Sequence, residues 1–230
     1  MRYTFKLATL KGIPVRLHVT FPLVFVAFGL EGLVRAGWTE ALYAMIFVAV
    51  VFACVVVHEL GHSLQARRYG ISVRDIVLLP IGGMARAERI PDVPKQEILM
   101  AIAGPAVNFV IAAVILVCIR LLHHPIDFEN DFVSGVLFVN IALAVFNLVP
   151  AFPMDGGRIL RGILATRLPY LAATRRAKNI GLLIAQAFAV TGFVYSQFIM
   201  LPLIAVFIFA GAIAEERFIR DKILQETAAA

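Results

Sequence analysis

The chain has 230 residues, 61% of them hydrophobic and only 16% charged, with a formal net charge of +6. That composition excludes a disordered chain, and it carries more apolar surface than one soluble core of this length buries. The expectation is an all-α polytopic membrane protein whose basic excess sits in cytoplasmic loops, with no nucleic-acid partner needed to explain it.

Six apolar stretches approach the roughly 20 residues that a membrane span requires. In chain order they are 17–36, 41–66, 98–119, 132–150, 180–195 and 198–214, which predicts six transmembrane helices. The first reads as retained: Arg2, Lys6, Lys11 and Arg16 are widely spread, and no small-residue cleavage site follows the apolar run. The last two nearly abut around Ser196-Gln197, and one helix of both would be nearly twice as long as a span needs. With six spans, all 21 Lys and Arg except Arg35 and Arg120 fall on one side. The positive-inside rule makes that side the cytoplasm, with both termini on it, in a multi-pass protein of the plasma membrane.

Between the second and third spans lies the longest polar insertion. Ser72 to Leu79 is rich in β-branched and apolar residues, Pro80-Ile81-Gly82-Gly83 reads as a turn, and Met84 to Ile90 returns. This predicts a small membrane-associated β-hairpin. Cys54 and Cys118 lie in apolar stretches and read as buried, unpaired thiols.

His58-Glu59-Leu60-Gly61-His62 is an H-E-x-x-H inside the second span. Positions i and i+4 share a helix face, so both imidazoles can converge on one metal ion, and imidazole suits Zn²⁺. Glu59, beside the pair, is placed to take a proton from an attacking water. Ionisable side chains inside a span are costly and usually functional. His58 precedes Arg67 by nine residues, about 14 Å of helix, which puts the motif inside the bilayer near its cytoplasmic face.

A catalytic zinc site needs a third protein ligand. The segment Asn147 to Arg158 contains Pro150 and Pro153, which break the fourth span, and then Asp155-Gly156-Gly157. Asp155 reads equally as a metal ligand or as the cap of a following helix. Asn147 reads as an oxyanion donor or, more simply, as an interhelical hydrogen bond, and Asn108 and Asn140 raise the same question. Gly104-Pro105 suggests close helix approach beside the metal helix. Two other classes compete with an enzyme. A transmembrane metal transporter or sensor expects ligands linking both faces, and an inactive membrane-binding scaffold expects a lost Glu or ligand.

With these residues placed, the chain resembles the site-2 protease family of intramembrane zinc metalloproteases, of the prokaryotic six-span type. The likeness covers essentially the whole chain. It rests on His58 to His62, on Gly104-Pro105-Ala106-Val107-Asn108, and on Asn147 through Asp155-Gly156. The resemblance implies one Zn²⁺ per chain on His58, His62 and Asp155. It also implies Glu59 as general base and acid, and Asn147 as a stabiliser of the tetrahedral intermediate. The implied substrate is a transmembrane segment of a membrane-anchored regulatory protein, cut within the bilayer by zinc-activated water in regulated intramembrane proteolysis. Relatives often add a PDZ domain or paired CBS domains. Residues 1–230 read as a single protease domain with neither.

Overall fold

A computed structural model of the chain describes residues 3–89, 91, 93–128, 131–195, 198 and 200–229, with side chains as far as residue 225. Arg2, the end of the expected return strand at Ile90 and the expected join at Ser196-Gln197 lie outside the described residues. The backbone forms two compact units, Met1–Ile90 with Ala103–Ala144, and Pro91–Ile102 with Val145–Ala230.

The first unit opens with strands rather than with a span. Strands β1 (Thr4–Leu10) and β2 (Ile13–His18) are antiparallel and joined by Lys11-Gly12. Both joining residues have positive φ, 50° and 77°, as two-residue hairpin turns of this hand require. The apolar run expected to begin a span at residue 17 therefore starts as the end of β2. Helix α1 (Pro22–Ala36) begins five residues later, with proline in its first turn. The expected hairpin at 72–90 forms as β3 (Val73–Leu79) and β4 (Gly82–Ala87), but it is half of a larger sheet. Strand β2 pairs with β3 in parallel, giving the order β1-β2-β3-β4.

Asp75 of β3, 2% exposed, ties three strands together. It accepts 2.6 Å from Arg86 Nε of β4 and lies 3.2 Å from Arg16 Nε of β2. The Arg86 hydrogen bond holds its carboxyl below the usual 3.8, against the opposing effect of burial, and Arg16 adds to the lowering.

Gly37 separates α1 from α2 (Trp38–Arg68), and the two helices cross tightly at Gly32, where a Cβ would lie 2.8 Å from Ala41. Helix α2 packs on β3 and β4, and Val15, Phe21, Val56 and Leu78 form the core between helices and sheet. Most of α3 (Pro94–Leu121) and α4 (Phe132–Asn147) also belongs to this unit, joined through Ala112, Ile119 and Leu137.

The second unit contains α5 (Asp155–Ala165), α6 (Tyr170–Val194) and α7 (Met200–Ala229). Helix α6 starts ten residues before the expected 180, and α7 runs fifteen beyond the expected 214. Their added turns carry charge: Arg175 and Lys178 of α6 both pair with Glu216 of α7. Small residues allow close packing, with Ala177 and Ala212 against Phe152. Arg161, 2% exposed, donates to Glu97 at 2.8 Å and to Glu215 at 2.6 Å, so its charge is buried with partners.

Among the described residues, three helices are long and apolar enough to cross a membrane: Trp38–Arg68, Pro94–Leu121 and Tyr170–Val194. Helix α1 has 15 residues and α4 has 16, about 22–24 Å each against a hydrocarbon core of about 30 Å. Large apolar side chains point outward from the helices, among them Val34, Val110 and Phe193, as lipid-facing surfaces require. Both cysteines are unpaired, but only Cys54 is buried; Cys118 lies on an exposed face of α3 rather than in the core.

Candidate metal centre

Thirty-one residues of uninterrupted helix carry His58, Glu59 and His62. Helical periodicity brings the two histidines onto one face, and their Nε2 atoms lie 3.1 Å apart. The rings meet edge to face, with centroids 4.8 Å apart. His58 is buried and His62 half-buried. Two imidazole nitrogens directed at one point are a donor pair suited to zinc.

Helix α3 makes room for that pair. Gly61 sits against it so closely that a Cβ would lie 2.8 Å from the Ala103 carbonyl oxygen. Gly104 lies over the histidines, where a Cβ would come within 2.2 Å of His62 Nε2 and 2.7 Å of His58 Nε2. The missing side chain leaves a cradle beside both nitrogens, and the residues present therefore fit a metal ion. One turn further, Asn108 is fully buried with its Oδ1 2.5 Å from His58 Nδ1. Its Nδ2 donates 2.9 Å to Asn140 Oδ1.

Glu59 faces the sheet instead. Ala85 N–H of β4 donates to Glu59 Oε2 at 2.9 Å. Gly83 allows that approach, since a Cβ there would lie 2.8 Å from Glu59 Cγ. The edge strand thus holds one carboxylate oxygen by a backbone donor while the histidines look elsewhere.

Asn147 and Asp155 lie in the second unit. Asn147 is the last residue of α4 and is half-buried. The chain then leaves the helix through Leu148 to Met154, with a cis bond between Phe152 and Pro153. The break expected from the two prolines is present. Asp155 is the first residue of α5 and is 8% exposed. The cap position falls on Met154, which makes no side-chain cap hydrogen bond, and Asp155 follows it as the first helical residue. Gly156 packs against the loop it follows, where a Cβ would meet the Val149 carbonyl oxygen at 2.2 Å. The loop and the helix start that present Asp155 are therefore fixed by glycine at that point.

Two residues gain a place that sequence reasoning left open. Both make the interhelical hydrogen bonds weighed for them, and those of Asn108 reach His58 of α2 on one side and Asn140 of α4 on the other. The available signal was spacing: Gly104 and Asn108 are i and i+4 in an apolar helix, as His58 and His62 are.

Comparison with known proteins gives a consistent picture. Residues 46–126 and 129–192 match the model of peptidase family M50. A zinc metalloprotease of Methanocaldococcus jannaschii is 39% identical over 220 residues, 95% of this chain and 62% of the relative. Stage IV sporulation protein FB of Bacillus subtilis is 29% identical over 165 residues, 70% of this chain and 52% of that protein. The chain thus spans about half to two thirds of these relatives' length. A solved structure of a site-2 protease from Methanocaldococcus jannaschii aligns with a TM-score of 0.69 and 37% identity. That alignment covers 93% of this chain and 95% of the solved one.

Proposed function

The chain belongs to peptidase family M50, and from that membership and the geometry above we propose that it is an intramembrane zinc metalloendopeptidase. The observation that carries this reading is the His58–His62 pair, its Nε2 atoms 3.1 Å apart beneath Gly104, with Glu59 held separately by β4. His58 and His62 would hold one zinc per chain, with Asp155 as third ligand. Supporting Asp155 are its burial, its place one residue past the cap position and the glycine that fixes the backbone beside it. Zinc, when bound, polarises a carbonyl and lowers the pKa of a water toward about 7.

The chain's own groups then do the following. Glu59 accepts a proton from the attacking water and returns it to the leaving amine, while Asn147 donates a hydrogen bond to the developing oxyanion. The substrate is a transmembrane segment of a membrane-anchored protein. A helical segment hides its carbonyls in its own hydrogen bonds and must unwind before attack. Strand β4 offers the edge on which an unwound segment is held extended beside Glu59. The chain crosses the plasma membrane six times with both termini cytoplasmic, supported by the one-sided distribution of basic residues. A transporter, sensor or inactive scaffold is not favoured by this family membership.

The test is Glu59→Gln, which keeps size and removes the proton acceptor. Zinc content and fold are expected to survive, while cleavage of a reporter transmembrane segment in liposomes falls by about 10²–10⁴-fold. Cleavage at the wild-type rate would refute the assignment, and joint loss of zinc and activity would withdraw the role given to Glu59.

A further inference from the structure

Asn108 and Asn140 are both fully buried on apolar helices, yet the proteolytic reading assigns them nothing. Their contacts form one chain. Asn140 Nδ2 lies 2.9 Å from the Val136 carbonyl oxygen and 3.3 Å from Cys54 Sγ. Asn140 Oδ1 faces Asn108 Nδ2 at 2.9 Å, and Asn108 Oδ1 faces His58 Nδ1 at 2.5 Å.

The direction of every bond in that chain follows from one fixed end. A backbone carbonyl only accepts, so the Asn140 atom beside Val136 O is the NH₂ group. Its other atom is then the carbonyl oxygen, which only accepts, so the Asn108 atom facing it is NH₂. Asn108 therefore turns its own oxygen to His58, and an oxygen that only accepts requires the proton on Nδ1. Neutral imidazole carries one proton, which leaves Nε2 with its lone pair on the side of His62 and Gly104. Turning both amides over would set the Asn140 oxygen 2.9 Å from the Val136 oxygen, acceptor against acceptor. Only one arrangement gives each of these buried groups a complementary partner.

We infer that Asn140 and Asn108 are positioning residues, a one-way hydrogen-bond relay anchored on the Val136 carbonyl that fixes His58 as the Nδ1–H tautomer and presents Nε2 to metal. This rests on His58 being a zinc ligand. Partners of this kind orient metal-bound histidines generally, and removing one typically weakens metal binding about 10–100-fold.

The relay is tested without activity, first on the metal-free chain and then by zinc affinity. The probe is ¹⁵N NMR of the histidine rings in the full chain, stripped of metal in detergent at about pH 8.5, above the ordinary histidine range of about 6.5. The His58 signals, identified by their loss in His58→Gln, are expected to show a protonated Nδ1 and an unprotonated Nε2 in the wild type. Asn108→Leu should lose that single tautomer and raise the zinc dissociation constant about 10–100-fold in chelator competition. Asn108→Asp keeps an acceptor toward His58 but turns its second oxygen on Asn140 Oδ1, so it should retain the tautomer while binding zinc more weakly than the wild type. A wild-type His58 protonated on Nε2 overturns the relay without recourse to any variant's fold. So does an Asn108→Leu chain that binds zinc as the wild type does. The underlying metal reading fails separately, if His62→Ala binds zinc with undiminished affinity.

Discussion

Gly104→Ala adds one methyl group to the helix that lies over the histidine pair. Built on the existing backbone, the new Cβ would sit 2.2 Å from His62 Nε2, 2.5 Å from His62 Cε1 and 2.7 Å from His58 Nε2. Real Cβ contacts essentially never fall below 3.0 Å, so the nearest must open by about 0.8 Å. His58 is buried and tied to Asn108, whereas His62 is half-buried, so the His62 ring is the part that yields. Moving it breaks the 3.1 Å approach of the two nitrogens. Overpacking of this kind costs about 1–3 kcal/mol. With tenfold in affinity for each 1.4 kcal/mol, zinc binding should weaken about 5- to 150-fold if the strain is expressed at the site. The assay is competition for zinc against a chromophoric chelator in detergent, with thermal unfolding followed on the same preparation. Ala106, two residues along on an exposed face of the same helix, supplies the control, and Ala106→Leu should bind zinc normally. A Gly104→Ala protein with wild-type zinc affinity would refute the claim that this glycine keeps the space beside the ligand nitrogens clear.

Three further outcomes are expected. Asp155→Ala should lose most of its bound zinc in the same competition assay, and full stoichiometry with tight binding would show that another residue is the third ligand. A cysteine introduced anywhere in 167–178 should react with an impermeant thiol reagent only from the cytoplasmic side, and labelling from outside would overturn the six-span topology. Asp75→Asn should destabilise the sheet near pH 7 by about 1.5–3 kcal/mol, toward the lower end because Arg16 is partly exposed. The Arg86 hydrogen bond, and next the nearby Arg charges, lower the folded pKa of Asp75 despite its burial, so its contribution is present above the unfolded value of about 3.9 and lost as pH falls through the folded one. Denaturation of wild type and variant should therefore converge as the pH is taken below about 4, and an equal difference at pH 3 and pH 7 would contradict this.

Much of the candidate site is local, and local features are legible. The spacing of His58 and His62 needs only a helix of 3.6 residues per turn to put both rings on one face. Pro150 and Pro153, three residues apart, break the helix they follow, and the turn at Pro80-Ile81-Gly82-Gly83 after a β-branched, apolar run announces a hairpin. The composition alone calls for lipid-facing helices. The first helix begins at Pro22 and not at 17 because Leu17 to Phe21, uncharged but including His18 and Thr20, suits the end of a strand as well as the start of a span. Strand β2 is held by its hairpin with β1 and by pairing with β3, some 60 residues away, and periodicity within a window does not contain the second partner.

Tertiary structure decided what surrounds the histidines. Glu59 meets an amide 26 residues away, and His58 meets an asparagine 50 residues away. Both contacts depend on how α2 packs on β4 and α3, not on any property of the residues between. The same holds for glycine: at Gly83 and Gly104 the sequence records only the absence of a side chain. That the absence faces Glu59 in one case and two histidine nitrogens in the other is a matter of packing. For Asp155 the decision was finer. Ligand and cap stand equal in the sequence because aspartate suits both, and the fold sets Asp155 as the first residue of α5, one past the cap position.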